Sequence, residues 1–347
     1  MMFNILFTGV YQVFDNFIFT KFSEAFNADN IICTGSNVED FQKENLIRVI
    51  SNSPLNKNKK EYTLFLNNLI KKYEIDLIVP MVDSEVSFLS KNKKSFNCKI
   101  FSANYKTVDS CLDKVKCHEI LGDLSPQYYK IIDPDTLKNI LESNPEKKYV
   151  IRPYGKITGS GKGMRILSKD GASNSNRILS SSVSRELSFK EYYKSYKSIF
   201  KNNEYSKIEF ILTDYLPGQE FSCYLTSNNG HLIDLCINKK LELESGTTNT
   251  ARAVITTNPK IKDIVREITK KLNLHLISNI QLKEDYNGDF KLVEVNPRIA
   301  GSIMLPIEAG YNFFKQSYFI LNNKNVKVNS NQNKKLKMTR IYNGFFK

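Results

Sequence analysis

The 347-residue sequence is poor in the residues that build metal cages or disulfide frameworks. Its three histidines (His118, His231, His275) are scattered, and its six cysteines (Cys33, Cys98, Cys111, Cys117, Cys223, Cys236) include no CxxC pair. Neither a zinc cluster nor a disulfide-stapled fold is suggested, and reduced, buried thiols are expected. There is no uninterrupted apolar run of the roughly 18 to 20 residues that a bilayer crossing requires. The opening MMFNILFTGVYQVFDNF has neither a basic leader nor a small-residue cleavage site, so a cytoplasmic location without membrane attachment is the expectation. No internal repeat is evident. A net charge of +14, from 50 basic against 36 acidic side chains, fits nucleotide phosphates, an acidic surface or nucleic acid. No helix carries a basic stripe interleaved with aromatics, however, and the lysines within 57–60 and 334–337 read as solvated loops. Nucleic acid is therefore not the expected partner.

What is present is ordinary globular material, 41% hydrophobic and 25% charged, long enough for two or three packed units. The first hundred residues alternate apolar runs (NILFTG, NIICTG, DLIVP, CKIFS) with amphipathic segments, the rhythm of a small parallel sheet covered by helices. In EYTLFLNNLIKKY, residues 61–73, Tyr62, Phe65, Leu66, Leu69, Ile70 and Tyr73 recur at helical spacing and predict one buried face. After the first strand, Tyr11 and Phe14 stand where a dinucleotide fingerprint needs glycines. DLIVPMVDSE places Asp83 and Glu85 at a strand's carboxyl edge, where they read either as ligand contacts or as acids at a helix N-terminus. From SANYKT onward the pattern changes. A helix is expected over VDSCLDKVKCHEIL (108–121), followed by strands YVIRP and GMRIL, then a polar, Ser-rich surface connection over 168–188. KIEFILTDYL and EFSCYLTS flank Pro217-Gly218, Asn228-Asn229-Gly230 turns the chain into HLIDLCI, and KIKDIVREITKKLNL reads as a helix. SNIQLKEDYNGDFKLVEVNP reads as a hairpin turning at Asn287-Gly288, and KLKMTRIYNGFF as a closing strand.

RPYGKITGSGKGMRI, residues 152–166, fails two tests for a phosphate loop. Lys156 occupies the first glycine position of a GxxxxGK[ST] pattern and Gly163 follows Lys162, while Gly159, Gly161 and Gly163 are spaced by two and lead into a strand. A flexible hairpin cap remains, either a plain surface turn or one whose amides close over polyanionic oxygens with Arg152 and Lys162 adding charge. A second cluster bears on that choice. Glu294 and Asn296 alternate along a strand and so share a face, and the Asn287-Gly288 turn brings Gln281 toward Glu294. Three oxygen donors of this kind suit magnesium, which completes its shell with water and phosphates. Arg298, just beyond Pro297, is placed to clamp a phosphoryl group or a substrate carboxylate.

The ordered set Lys114 in CLDK, IRPYGKITGSGKGM, DYLPGQE, NIQL and EVNPRIAGS resembles the ATP-grasp superfamily, and is similar to its carboxylate-amine ligase and carbamoyl-phosphate synthetase branches. The resemblance runs to about residue 310. It implies an α/β and α+β chain: an N-terminal Rossmann-like preATP-grasp domain (1–105), then a two-lobed ATP-grasp fold. The N-terminal lobe (106–217) would carry helix 108–121 and the glycine-rich loop, and the C-terminal lobe (218–347) the metal site and closing strand. Lys114, Arg152, Gly159, Ser160, Gly161, Lys162 and Gly163 would meet ATP phosphates, with Arg152 standing where most members have Lys. Asp214, Tyr215 and Leu216 would form the adenine hinge, and Glu220 would bind the ribose hydroxyls. Gln281, Glu294 and Asn296 would hold Mg2+ or Mn2+, with Gln281 replacing the carboxylate of many relatives.

The chemistry implied is attack of a carboxylate on the γ-phosphorus of ATP, then displacement of phosphate by an amine, with small-molecule carboxylate and amine substrates. Arg298 and Arg252 are the catalytic candidates. Lys239, Glu244, Gly246 and Arg252 in KKLELESGTTNTARAV read equally as substrate contacts or as an exposed loop. The segment after residue 310 is too short for a second synthetase half, so a stand-alone ligase is expected, and a homodimer is carried as an expectation. Carboxyphosphate chemistry like that of carbamoyl-phosphate synthetase and a nucleotide-binding regulator without turnover are the alternatives.

Overall fold

The computed structural model describes residues 2–10, 15–35, 46–50, 58–154, 164–171, 186–201, 209–243, 250–328, 332 and 335–339. Strand β1 (Asn4–Val10), helix α1 (Asp15–Phe26), β2 (Asn30–Gly35), β3 (Leu46–Ile50), α2 (Lys59–Tyr73), β4 (Leu77–Pro80), α3 (Asp83–Lys91) and β5 (Lys99–Ile100) build the first unit. Its strands are parallel, in the order β3-β2-β1-β4-β5. The apolar runs are continuous because helices cover both faces of such a sheet. Helix α2 starts where the Asn58 side chain accepts from the Lys60 and Glu61 amides, and it buries Tyr62, Leu66, Leu69 and Ile70, the face its periodicity predicts.

The expected single helix over 108–121 is two. Helix α4 (Tyr105–Leu112) ends at Asp113, whose extended backbone and side chain restart the chain as α5 (Lys114–Leu121) by capping the amides of Val115 and Lys116. Aspartate competes for local amides and so favours a cap over a helix interior. The break makes Lys114 the first residue of a helix. Beyond it β6 (Tyr128–Ile131), α6 (Pro134–Ser143), β7 (Tyr149–Tyr154), β8 (Arg165–Ser168), β9 (Glu186–Ser188), α7 (Phe189–Phe200) and β10 (Glu209–Asp214) form a second sheet, ordered β6-β10-β7-β8-β9. Its core is its own: Ile131, Leu137, Tyr149, Ile151, Tyr192 and Leu212 pack together between the sheet and its two helices.

The third sheet is ordered β15-β14-β11-β12-β13-β16, from β11 (Glu220–Asn228), β12 (His231–Leu243), β13 (Thr250–Thr256), β14 (Leu276–Glu284), β15 (Phe290–Asn296) and β16 (Lys337–Thr339). Helix α8 (Pro259–Lys271) covers one face, packing Ile261, Val265 and Ile268 against Cys223, Leu225, Ile280 and Leu282. The other face is divided. Tyr224, Cys236, Ala253, Ile255 and Ile277 share one core with the first unit and with α10 (Phe313–Leu321), which follows the short α9 (Met304–Glu308). Phe22 of α1 anchors that core, its ring 4.3 Å from Phe26, 5.2 Å from Phe101 and 5.2 Å from Phe314 of α10. Aromatic pairs of this kind add about 0.5–1.5 kcal/mol each beyond the area they bury. Along the same strands, toward Glu220, the same face turns polar, and there the candidate site lies. Among the described residues no helix is long and apolar enough to cross a membrane.

Candidate active site

The floor of the site is a row of polar side chains crossing β12, β11, β14 and β15. Register pairs Gln281 with Glu294 and Asn279 with Asn296, so the hairpin turning through Gly288 at φ +79° brings the three expected oxygen donors side by side. Glu294 Oε1 accepts from Gln281 Nε2 and from Asn296 Nδ2, both at 2.9 Å. Gln281 Oε1 in turn accepts from Lys240 Nζ at 3.1 Å, and that ammonium forms a short ion pair with Glu220. At the other end Arg298 Nη2 lies 3.4 Å from Asn296 Oδ1, while Arg298 Nε donates to Asp83 Oδ1 at 2.6 Å. The row therefore runs unbroken from Glu220 to the N-terminal turn of α3.

Two cations from other elements face this row. Burial lowers the pKa of Lys114, the neighbouring Arg152 charge lowers it further, and Glu294 and Asp83 pull it back. Burial likewise lowers that of Arg152, opposed by Glu294. One guanidinium nitrogen of Arg152 donates to the Val293 carbonyl at 3.1 Å, and its Nε is buried without a partner. A buried, partly unsatisfied guanidinium beside a lysine leaves unspent hydrogen-bonding capacity, which an anion would take up. Behind them lies His118, both ring nitrogens buried and unpartnered, stacked on Tyr128 at 5.1 Å. Burial, reinforced by the Arg152 and Lys114 charges, pushes its pKa down to about 3 and keeps the ring neutral.

The expected hinge joins the second and third sheets. The amides of Asp214 and Tyr215 are taken by the carbonyls of Gln127 and Lys148, at 2.9 and 3.0 Å, whereas the Leu216 amide has no partner among the described residues. Asp214 pairs with Lys147 through one carboxylate oxygen at 3.0 Å. Gly218 follows where a Cβ would come within 2.6 Å of the Glu284 Cβ, so the chain passes close enough for Gln219 N to donate to Glu284 Oε2 at 3.0 Å. Glu220 is thereby fixed at the start of β11. Opposite it in register is Lys283, with its ammonium 5.2 Å from the centre of the Tyr215 ring. Burial lowers the pKa of Lys283, opposed by Glu220.

Glu294 is the one carboxylate of the expected metal set, and no cluster of three His, Cys, Asp or Glu side chains occurs among the described residues. Magnesium needs only one or two protein carboxylates when phosphates complete its shell, and Asn296 can turn its oxygen inward because its contact with Arg298 is long. Glu294 and Asn296 fit such an ion.

Not every expected residue joins the row. Arg252 is exposed and pairs with Glu242 at 3.3 Å. Its neighbours Ala253 and Ile255 turn into the core shared with the first unit, and strand alternation turns Arg252 away from them. The structure thus sets it apart from Arg298. Lys239 lies opposite Phe221, on the face covered by α8. Gly159, Ser160, Gly161, Lys162 and Gly163 fall outside the described residues, as do Glu244, Gly246 and most of the 168–188 connection. Sequence reasoning did not single out Lys240, Lys283 or His118, and it left Asp83 between two readings.

Residues 206–343 match the model of a family described as ATP-grasp in the biosynthetic pathway with Ter operon. No curated protein shows significant sequence similarity to the chain. Among solved structures, an L-amino acid ligase from Bacillus licheniformis is similar at TM-score 0.68 and 16% identity, over 92% of this chain and 75% of that one. N5-carboxyaminoimidazole synthetase from Staphylococcus aureus, complexed with ADP, is similar at TM-score 0.63 and 13% identity, over 94% and 79%. A biotin carboxylase from Campylobacter jejuni, in a β-γ-ATP complex, is similar at TM-score 0.68 and 12% identity, over 94% and 72%. The chain has the two-lobed ATP-grasp fold, and the resemblance carried by its motifs holds.

Proposed function

We propose that the chain is an ATP-dependent ligase that joins the carboxylate of one small molecule to the amine of another. The observation that carries this reading is the convergence of Lys114 and Arg152 on Glu294, with Arg298 at the end of the same row. Two anions must meet in the reaction, and these cations supply the field that lets them. The Leu216 amide, without a partner among the described residues, would donate to the adenine edge, and Glu220 would accept from the ribose hydroxyls. Lys114 and the unsatisfied Arg152 would hold the phosphates, and Arg298 the attacking carboxylate. A carboxylate oxygen forms a bond to the γ-phosphorus as the bond to ADP breaks. The amine nitrogen then bonds to the acyl carbon, phosphate leaves and the nitrogen loses a proton. Glu294 and Asn296 would hold magnesium, which screens the phosphate charge when bound.

Release of ADP against pools of amino acids and other carboxylates, with and without amine acceptors, tests the reading. ADP release that requires both a carboxylate and an amine, and is lost in Glu294→Gln with the fold intact, supports it. Full turnover in that variant would sink the metal assignment. A second reading, carboxyphosphate formation, is favoured by likeness at comparable TM-scores to a biotin carboxylase and an N5-carboxyaminoimidazole synthetase. Bicarbonate-dependent ADP release in the absence of another carboxylate would select it.

A further inference from the structure

We infer that this site takes a single divalent cation: Lys240 supplies the second positive charge, and Gln281 is the strut between that ammonium and Glu294 rather than a metal ligand. The inference rests on the ATP-dependent reading above and refines the expected ligand set.

Gln281 sits between two charges of opposite sign. Its oxygen accepts from Lys240 Nζ at 3.1 Å and its nitrogen donates to Glu294 Oε1 at 2.9 Å. Turning the amide over would set its N–H groups against the ammonium and its oxygen against the carboxylate, replacing two attractive contacts with two repulsive ones. The orientation of this amide is therefore dictated by its neighbours, and its oxygen is committed to Lys240. Asn296 is held differently, since among the described residues its oxygen has only the long contact with Arg298. Arg298 keeps a better anchor in Asp83, so Asn296 is free to present its oxygen to a metal beside Glu294.

Lys240 cannot easily withdraw. Its side chain is 5% exposed, its ammonium is paired with Glu220, and its backbone carbonyl accepts from Gln219 Nε2 at 2.5 Å. A second divalent cation on the Gln281 oxygen would share that oxygen with the ammonium, two like charges a few ångströms apart in a site shielded from water. Glu220 is already spent on the ammonium and Glu294 is the one carboxylate of the set, so the protein offers no further anion to offset that repulsion. A positive charge already stands where a second metal would sit, fixed to the backbone of β12.

The test is Mn2+ binding to the full chain, followed by the electron paramagnetic resonance of free Mn2+, with a non-hydrolysable ATP analogue bound at one per chain. One nucleotide-dependent Mn2+ per chain, kept at one in Gln281→Leu and lost in Glu294→Gln, is the expected result. The Leu variant is expected to bind that ion with affinity reduced at least ~10-fold but not abolished, as for a residue that orients a ligand. Two Mn2+ per chain in the unaltered protein, or loss of metal in Gln281→Leu to the extent seen in Glu294→Gln with the fold retained, would overturn the inference and leave the ligase reading standing. Absence of any nucleotide-dependent Mn2+ would overturn both.

Discussion

Asp83 and Arg298 meet at 2.6 Å although 215 residues separate them, joining the first turn of α3 to the end of β15. The arginine proposed to hold the attacking carboxylate is thus held, in this structure, by a carboxylate of the chain itself. A substrate acid reaching Arg298 would meet an occupied guanidinium and would have to share or displace Asp83. Replacing Asp83 by Asn should cost about 1 kcal/mol of stability in urea unfolding, given the partial exposure of the pair. Arg298→Ala should abolish carboxylate-dependent ADP release while leaving nucleotide binding within a few-fold of its original strength. Equal loss of both would remove Arg298 from the substrate side.

Lys240 and Glu220 form the most buried ion pair of the row. Lys240→Met should destabilise the chain by about 3 kcal/mol, because it leaves Glu220 uncompensated in a shielded place. The double variant with Glu220→Gln should recover most of that loss in a thermodynamic cycle. Additive losses would show that the two side chains do not depend on each other.

Arg152 offers a planar fork where a point charge is the commoner choice in the superfamily it resembles. Arg152→Lys keeps the sign but loses the bond to the Val293 carbonyl and the second donor edge. Titration with a fluorescent ATP analogue should show affinity roughly 10-fold weaker, with thermal stability nearly unchanged. Unchanged affinity would mean that the guanidinium does not face the phosphates.

His118 gives a dependence on pH with a definite sign. Its pKa is about 3 in the folded chain against an ordinary 6.5, so below pH 6.5 the unfolded chain binds a proton that the folded one refuses. The stability this provides is complete above that value and is lost as pH falls toward 3, at up to about 1.4 kcal/mol per pH unit. In His118→Leu the slope of unfolding free energy between pH 6.5 and pH 5 should flatten. An unaltered slope would assign the acid sensitivity to other groups.

Asp113 caps α5 through the Val115 and Lys116 amides, both at 3.1 Å. Asp113→Ala should cost about 1 kcal/mol and also weaken nucleotide binding, because the cap sets where Lys114 leaves the helix. Loss of stability alone would separate the cap from the site.

The parts of the fold that local signals govern were legible. Continuous apolar runs marked the parallel strands other than β3, Asn287-Gly288 fixed the hairpin that sets Gln281 beside Glu294, and the spacing in 61–73 gave the buried face of α2. One misreading and one register have local causes. Asp113 splits an otherwise helical pattern because its cap bonds outweigh continued propensity. Lys240 rather than Lys239 meets Glu220 because a bulge at Thr226/Ser227 moves the register by one and places Phe221 opposite Lys239. One inserted residue exchanges the faces of everything beyond it. The Asp83–Arg298 pair had no signal in the sequence, since it depends on how two separate sheets are stacked.

The divided face of the third sheet has a mechanical consequence. Its apolar half shares a core with the first unit through Tyr224, Cys236, Ala253 and Ile255, and Phe22 and Phe314 knit α1 to α10 across the same seam. The second sheet keeps a separate core and joins the rest through the short crossings at 122–127 and 215–219. The first and third units thus pack as one body, to which the second sheet is also tied by the bond from Arg152 to the Val293 carbonyl at 3.1 Å. Arg152 and Glu294 therefore come together from two separately packed bodies, and their approach is set by how those bodies are seated on each other.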